Sequence, residues 1–165
     1  MAVTMHKYRL LLAGFTMVSM VTLDGRELKA EEPVGQIKTI AGVGAVIRGA
    51  QSVPAEVGQE IYRNDRIQTG ANDSLGITFR DGTQVSLGAG SDFLVRDFVF
   101  EPQKGKLSFV VSILKGSLVY ISGRIAALMP QAVEIKTVNG TIGVRGTRFA
   151  ARVPPADRGD HGAIP

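Results

Sequence analysis

Residues 74–87 read SLGITFRDGTQVSL and form the centre of an informative stretch that runs from Gln59 to Leu94. The pair Asp81-Gly82 stands there between two short runs rich in Ile, Phe, Val and Leu. Such a pair predicts a hairpin with a type I′ turn, because Asp and Gly both tolerate the positive φ that its central residues take. Lys115-Gly116 and Asn139-Gly140 repeat the signal. Three predicted hairpins in one small chain indicate an all-β fold.

Short runs of β-branched and apolar residues recur along the chain about every 8 to 12 residues, which is typical of many short strands. No helical period is sustained, although Ile125 to Met129 fits one turn of helix between Gly123 and Pro130. The predicted strands are Gln36–Ile40, Ala45–Arg48, Arg66–Thr69, Leu75–Phe79, Gln84–Leu87, Phe93–Phe100, Lys106–Leu114, Ser117–Ile121, Val133–Val138, Thr141–Val144 and Arg148–Val153.

One of these strands shows which face is buried. Leu107, Phe109 and Val111 alternate with Ser108 and Ser112, so the apolar side chains point inward and the serines outward. A chain of 165 residues has room for one domain with a modest core. We therefore predict a single-domain, antiparallel β-sandwich or short β-roll of about ten short strands with a purely apolar interior.

The N-terminus has the pattern of a secretory signal peptide. Lys7 and Arg9 precede fourteen uncharged residues, Leu10 to Leu23. That run is shorter than the roughly 20 apolar residues a membrane-spanning helix needs. Residues 1–30 are therefore predicted to be a signal peptide cleaved after Ala30, with a retained anchor as the alternative. The protein is expected to be periplasmic or secreted.

Residues 31–153 are predicted to form the β domain, and Pro154 to Pro165 a disordered tail. Processing would remove four of the 19 basic residues and two of the 15 acidic ones, which leaves a formal charge of +2. The remaining charges alternate in sign along the chain. We therefore expect no nucleic-acid partner, and no membrane span after processing.

The sequence shows no set of groups that could run a reaction. It contains no Cys, and its two His residues, His6 and His161, lie in the predicted leader and tail. A Ser-His-Asp arrangement or a histidine metal site is thus not expected, nor is any cofactor.

A glycan hydrolase stays open as an alternative, because it needs only two carboxylates. The candidates are Asp65, Asp73, Asp81, Asp92 and Asp97. The first four have Asn, Gly or Ser beside them, which favours turns in which a short side chain bonds its own backbone.

Arg145-Gly146-Thr147 is the one cluster with an unusual composition. A guanidinium there can satisfy backbone carbonyls as an internal clamp, or it can contact an anion or carboxylate. The clamp is the favoured interpretation, because five donors in one plane suit carbonyl groups well.

Four segments together form a recognisable pattern: Gly58, Asn64 to Gly70, Ser74 to Thr83, and Val138 to Val144 leading into Arg145 to Phe149. Over roughly Gly35 to Val153 this pattern resembles the FecR domain family. The motif residues, for which we expect structural roles, are Asp65, Thr69, Gly70, Asp81, Gly82, Arg145, Gly146 and Thr147.

The resemblance implies an extracytoplasmic all-β module. The best-known members of that family pass a signal from an outer-membrane receptor to a cytoplasmic sigma factor. Their cytoplasmic segment and membrane span have no counterpart here, so we expect the simpler exported form.

The leading hypothesis is a non-enzymatic binding module of the cell envelope. It would contact an envelope protein or cell-wall glycan through loops such as Gln68 to Ser74 and Ala89 to Asp92, or add a partner strand at an exposed sheet edge. A carboxylate-based glycan hydrolase and a structural component that self-associates edge to edge remain alternatives. The sequence leaves the oligomeric state open.

Overall fold

The computed structural model describes residues 31–144 and 148–154, which all belong to one compact unit. The predicted signal peptide, the tail beyond residue 154 and the motif Arg145-Gly146-Thr147 lie outside the described residues.

The all-β prediction is confirmed. Within the described ranges the chain forms one short α-helix, α1 (Arg124–Leu128), two 3₁₀ turns (Pro102–Lys104 and Pro130–Ala132) and twelve strands. The strands are β1 (Gly35–Ala41), β2 (Gly44–Arg48), β3 (Gln51–Pro54), β4 (Glu60–Ile61), β5 (Arg66–Thr69), β6 (Ser74–Phe79), β7 (Gln84–Leu87), β8 (Asp92–Glu101), β9 (Lys106–Ile121), β10 (Val133–Thr137), β11 (Gly140–Gly143) and β12 (Arg148–Val153).

The strands form one curled sheet in the order β3-β2-β5-β8-β9-β7-β6-β1-β4. The curled sheet has two layers. One contains β1, β4, β6, β7 and β12, and the other contains β2, β3, β5, β8, β10 and β11. The sixteen-residue strand β9 belongs to both layers. Its first part pairs with β8 and β10, and its last part pairs with β7 and β12. The pairing is antiparallel throughout the described ladders except between β9 and β10, which run parallel. A parallel neighbour needs a crossover connection, and the segment containing α1 supplies it.

The hairpin predicted at Asp81-Gly82 joins β6 to β7, but its turn is not type I′. Only Gly82, at φ 86°, has positive φ. The Phe79 amide donates to the Thr83 carbonyl (2.8 Å) and the Gly82 amide donates to the Phe79 carbonyl (2.9 Å). These bonds close a three-residue loop with a glycine bulge, another common hairpin connection. The Asn139-Gly140 hairpin also exists, but its two loop residues are Val138 and Asn139.

The hairpin predicted at Lys115-Gly116 is wrong, because β9 continues through both residues. Gly116 has φ 94°, and a Cβ added there would lie 2.4 Å from the Cα of Ser91. Glycine is therefore needed for a close approach between two segments where β9 passes from one layer to the other. A positive φ inside a strand produces the same sequence signal as a turn.

The core lies between the two layers and is continuous. Phe79 on β6 packs against Phe109 on β9 with ring centroids 4.9 Å apart, and Phe109 packs against Tyr120 at 5.9 Å. Phe109 and Val111 are fully buried, as their alternation predicts.

The prediction of a purely apolar interior is wrong. Ser112, which we expected to face water, is 1% exposed, and a hydrogen bond that the Arg96 side chain donates to its hydroxyl offsets the cost of this burial. The buried polar side chains are Asp65, Asp81, Thr83, Ser91, Asp92 and Ser112. Five of the six, all except Ser112, lie in segments quoted for the family resemblance or in the loops that we expected to contact a partner.

Candidate functional site

Asp65 ties β2 to the loop before β5. Its Oδ1 accepts a hydrogen bond from Arg48 Nε (2.8 Å) and its Oδ2 one from Arg48 Nη2 (2.7 Å). The Tyr62 amide also donates to Oδ2 (2.8 Å). The Arg48 guanidinium in turn lies over the Tyr62 ring, 4.2 Å from its centroid. The carboxylate is fully buried, so its contacts stabilise the interior of the fold.

The prediction that Asp92 bonds its own backbone in a turn is wrong. Asp92 begins β8, and its carboxylate forms a bidentate ion pair with Arg66 on β5 (Nε to Oδ1 2.6 Å). Gln68 Nε2 donates to Oδ2 at 3.1 Å. Burial raises the pKa of Asp92, but the hydrogen bonds from Arg66 and Gln68 outweigh it and hold that pKa below its usual value. The serine beside Asp92 suggests a turn, but the pairing of β5 with β8 places the Arg66 guanidinium next to the Asp92 carboxylate, which binds it instead of its own backbone.

Thr69 and Gly70 hold together the two loops that we expected to contact a partner. The Thr69 hydroxyl donates to the Gly88 carbonyl (2.6 Å) and accepts from the Ser91 amide (2.8 Å). The Gly90 amide donates to the Gly70 carbonyl (2.8 Å). The loops therefore lie side by side at one end of the sheet.

Asp73 fills the space between Gly70 and the bend at Gly42. An added Cβ would fall 1.7 Å from its carboxylate at Gly42 and 2.0 Å at Gly70. Both glycines are thus explained by packing around Asp73, and Val43 at the tip of the bend is 71% exposed.

Asp81 and Thr83 attach the β6–β7 hairpin to the start of α1. Asp81 Oδ1 accepts from the Thr83 amide (3.0 Å), and Oδ2 accepts from the Thr83 hydroxyl (2.8 Å) and from the Ile125 amide (3.2 Å). The Gly123 amide donates to the Thr83 hydroxyl (3.1 Å), and the Arg124 amide to the Asp81 carbonyl (2.8 Å). The motif thus fixes the position of a helix that begins more than 40 residues later.

This contact requires glycine at position 123. A Cβ there would lie 2.3 Å from the Thr83 nitrogen and 2.7 Å from the Asp81 carbonyl oxygen. Sequence reasoning missed the contact, and its only signal was a glycine directly before the predicted helical turn.

Helix α1 and the following 3₁₀ turn form one wall of a groove, and β10 and β11 form the other. The groove has a volume of about 950 Å³, at the upper end of the range for ligand sites. The described lining is mainly apolar, and the one charged side chain in that part of the lining, Glu134, lies 3.4 Å from Lys136 Nζ. The lining residues are Ser122, Ala126, Ala127, Pro130, Gln131, Val133, Glu134, Thr141, Gly143 and Val144.

Two of the motif segments from the sequence converge on this groove. Asp81 and Thr83 hold the helix that carries Ala126 and Ala127, and Thr141 to Val144 line the opposite wall. The motif Arg145-Gly146-Thr147 follows Val144 directly in sequence. The groove is therefore our candidate functional site.

The five candidate aspartates do not meet in this groove. Asp65, Asp81 and Asp92 use both carboxylate oxygens in three separate clusters, and none of the five is among the lining residues. Within the described ranges, no group of three or more His, Asp or Glu side chains is arranged to hold a metal ion. In the same part of the chain, no helix is long and apolar enough to cross a membrane.

The curled sheet of twelve strands defines an all-β domain. A family model described as FecR protein matches residues 65–162, more than half of the chain. The chain therefore belongs to the FecR protein family, a family of regulatory, signalling-related domains, and the resemblance stated from the sequence is confirmed. The match begins 30 residues later than Gly35 and extends nine beyond Val153. No curated protein and no solved structure matches the chain.

Proposed function

We propose that this chain is an exported, non-enzymatic interaction module of the cell envelope that takes part in signalling. It binds another envelope protein in the groove between α1 and β11. Family membership supports the signalling role, and the basic and apolar pattern of residues 1–30 supports export.

The observation that carries the proposal is the construction of the groove. The buried Asp81 and the close contact at Gly123 fix one wall in place. A solvent-exposed connection between two strands does not need such a specific attachment. The other wall is a hairpin whose residues belong to the same family match. Apolar grooves and exposed sheet edges of this kind are recurring sites for the recognition of partner protein segments.

The use of the buried carboxylates supports a non-enzymatic role. Glycoside hydrolysis needs two carboxyl groups facing one sugar bond, separated by about 5 to 9.5 Å. Asp65, Asp81 and Asp92 are instead occupied with an arginine, a helix N-terminus and a second arginine. A cell-wall glycan as ligand has less support, because the described residues that line the groove include no aromatic side chain on which a sugar ring could stack.

Export and binding can be tested with single-cysteine variants, because the chain has no native cysteine. Ala127→Cys places a thiol in the groove, and Ser52→Cys places one on the exposed strand β3 as a matched control. In intact cells of the native host, a maleimide that cannot cross the inner membrane should label both. Intact mass of the exported protein should show the loss of residues 1–30.

A photoactivatable group on the cysteine at 127 should then give one defined protein adduct that the control at 52 does not give. The same adducts from both positions would contradict groove binding. Failure to label either cysteine, or a mass that includes Met1, would contradict export or processing. Turnover of peptidoglycan by the purified protein would overturn the non-enzymatic assignment.

A further inference from the structure

Strand β11 offers free main-chain groups along the groove. The two-residue loop Val138-Asn139 makes Thr137 and Gly140 a hydrogen-bonded pair. Pairs alternate along an antiparallel ladder, so the amides and carbonyls of Thr141 and Gly143 point away from β10. No strand of the described residues pairs with that side of β11.

The other sheet edges carry features that block strand addition. By the same alternation, Ser52 and Pro54 point outward on β3, and Pro54 has no amide to offer. Strand β4 is only two residues long. Strand β12 carries the exposed Arg148 and Arg152. Strand β11 has the sequence GTIG, with neither charge nor proline. Its edge is the least protected of the four.

Gly143 is not explained by any contact among the described residues. Its φ lies outside the left-handed region, and none of the described residues comes within 4 Å of an added Cβ. Glycine in a strand costs stability and often marks the close approach of another backbone. Gly143 faces the groove, where such a backbone would lie.

We infer that β11 binds an extended segment of the partner protein as an added β-strand, through the main-chain groups of Thr141 and Gly143. The inference rests on the proposed function and names its mode of binding. Side chains on the groove-facing side of the added strand pack against Ala126, Ala127 and Pro130 on the opposite wall. Main-chain bonds supply affinity and these small apolar contacts supply selectivity.

The charges of the groove define the chemistry of the segment. Among the lining residues that the structure describes, the one charged residue is Glu134, and it is already paired with Lys136. A charged ligand side chain would lose water there without an unpaired partner, so the segment is uncharged where it contacts the groove.

A library of phage-displayed dodecapeptides selected against the full chain tests the inference. Selected peptides should contain an uncharged, β-branched stretch. Thr141→Pro removes one outward amide and should weaken their binding about tenfold or more, measured by calorimetry. Ser52→Pro removes an outward amide on β3 and should leave binding unchanged. Circular dichroism of both variants should match that of the parent.

N-methylation of alternate backbone nitrogens in a selected peptide tests the same bonds without changing the protein. One peptide is methylated at the odd-numbered backbone nitrogens and a second at the even-numbered ones; one of the two should lose binding and the other should keep it. The inference would be overturned if both methylated peptides bound equally well and Thr141→Pro bound like the parent. The absence of enriched peptides would also overturn it. Self-association of the chain that light scattering detects and Thr141→Pro abolishes would also overturn the inference, because β11 would then pair with a second copy of the chain. A groove-specific protein adduct at position 127 would still support the proposed function in each of these cases.

Discussion

Replacement of Asp81 by alanine tests whether the hairpin motif holds the groove wall. The carboxylate is 1% exposed and accepts three hydrogen bonds, two from Thr83 and one from the Ile125 amide. Hydrogen bonds to a charged group contribute about 1.5 to 3 kcal/mol each, and a buried amide without a partner costs about 1 to 3 kcal/mol. The Thr83 hydroxyl can rotate and recover part of this loss. We expect Asp81→Ala to lower the free energy of unfolding by about 3 to 5 kcal/mol.

Urea unfolding followed by far-ultraviolet circular dichroism measures this change, since the chain has no tryptophan. Asp97→Ala is the control, because Asp97 is a half-buried aspartate on β8 and should cost about 1 kcal/mol or less. Asp81→Asn keeps one acceptor for the Thr83 amide and should fall between the two. A loss below about 1 kcal/mol for Asp81→Ala would refute the reasoning, because the buried acceptor would then be dispensable.

Three further changes have defined outcomes. Gly123→Ala should lower the free energy of unfolding by about 2 kcal/mol or more because of its steric clash, whereas Gly143→Ala should change it by less than about 0.5 kcal/mol; equal effects in urea would contradict the close contact. Burial raises the pKa of Tyr120 to about 12, so the free energy of unfolding should fall as pH rises from about 10 to 12. In alkaline unfolding curves Tyr120→Phe should remove that fall, and an unchanged fall would contradict the raised pKa. Arg66→Gln weakens the interaction that lowers the pKa of Asp92 against the effect of burial, so an NMR titration should show a higher pKa for that carboxyl. The lowered pKa of Asp92 contributes stability above about pH 4 that is lost on acidification, so the difference from the parent should shrink below about pH 4; a constant difference would refute the role of the pair.

Local patterns were enough to predict the fold class. Strands β5, β7 and β12 have their predicted bounds, because each is a short run that alternates polar or small residues with apolar ones. Strands β3 and β4 were missed: β3 ends in Pro54 and is exposed along its length, and β4 has only two residues. The Lys115-Gly116 error has a different origin, since a single glycine cannot distinguish a turn from a strand that passes between layers.

The site depended on contacts between distant parts of the sequence. Asp81 was identified as a turn residue, and its bond to the Thr83 amide is of that local kind. Its bond to the Ile125 amide joins residues 44 positions apart, which no local pattern reveals. The Arg66–Asp92 pair is likewise set by strand order, and the sequence indicated only that both residues were present. The motif resemblance included segments that hold or line the candidate groove, but it did not indicate the groove itself.

Amide hydrogen exchange along β11 tests the central claim most directly. The full chain is measured by NMR with and without a selected dodecapeptide, and Thr141 and Gly143 are compared with Ser52. The account predicts that the peptide slows exchange at Thr141 and Gly143 about tenfold or more and leaves Ser52 unchanged. Unaltered exchange at both β11 amides in the peptide-saturated protein would contradict it.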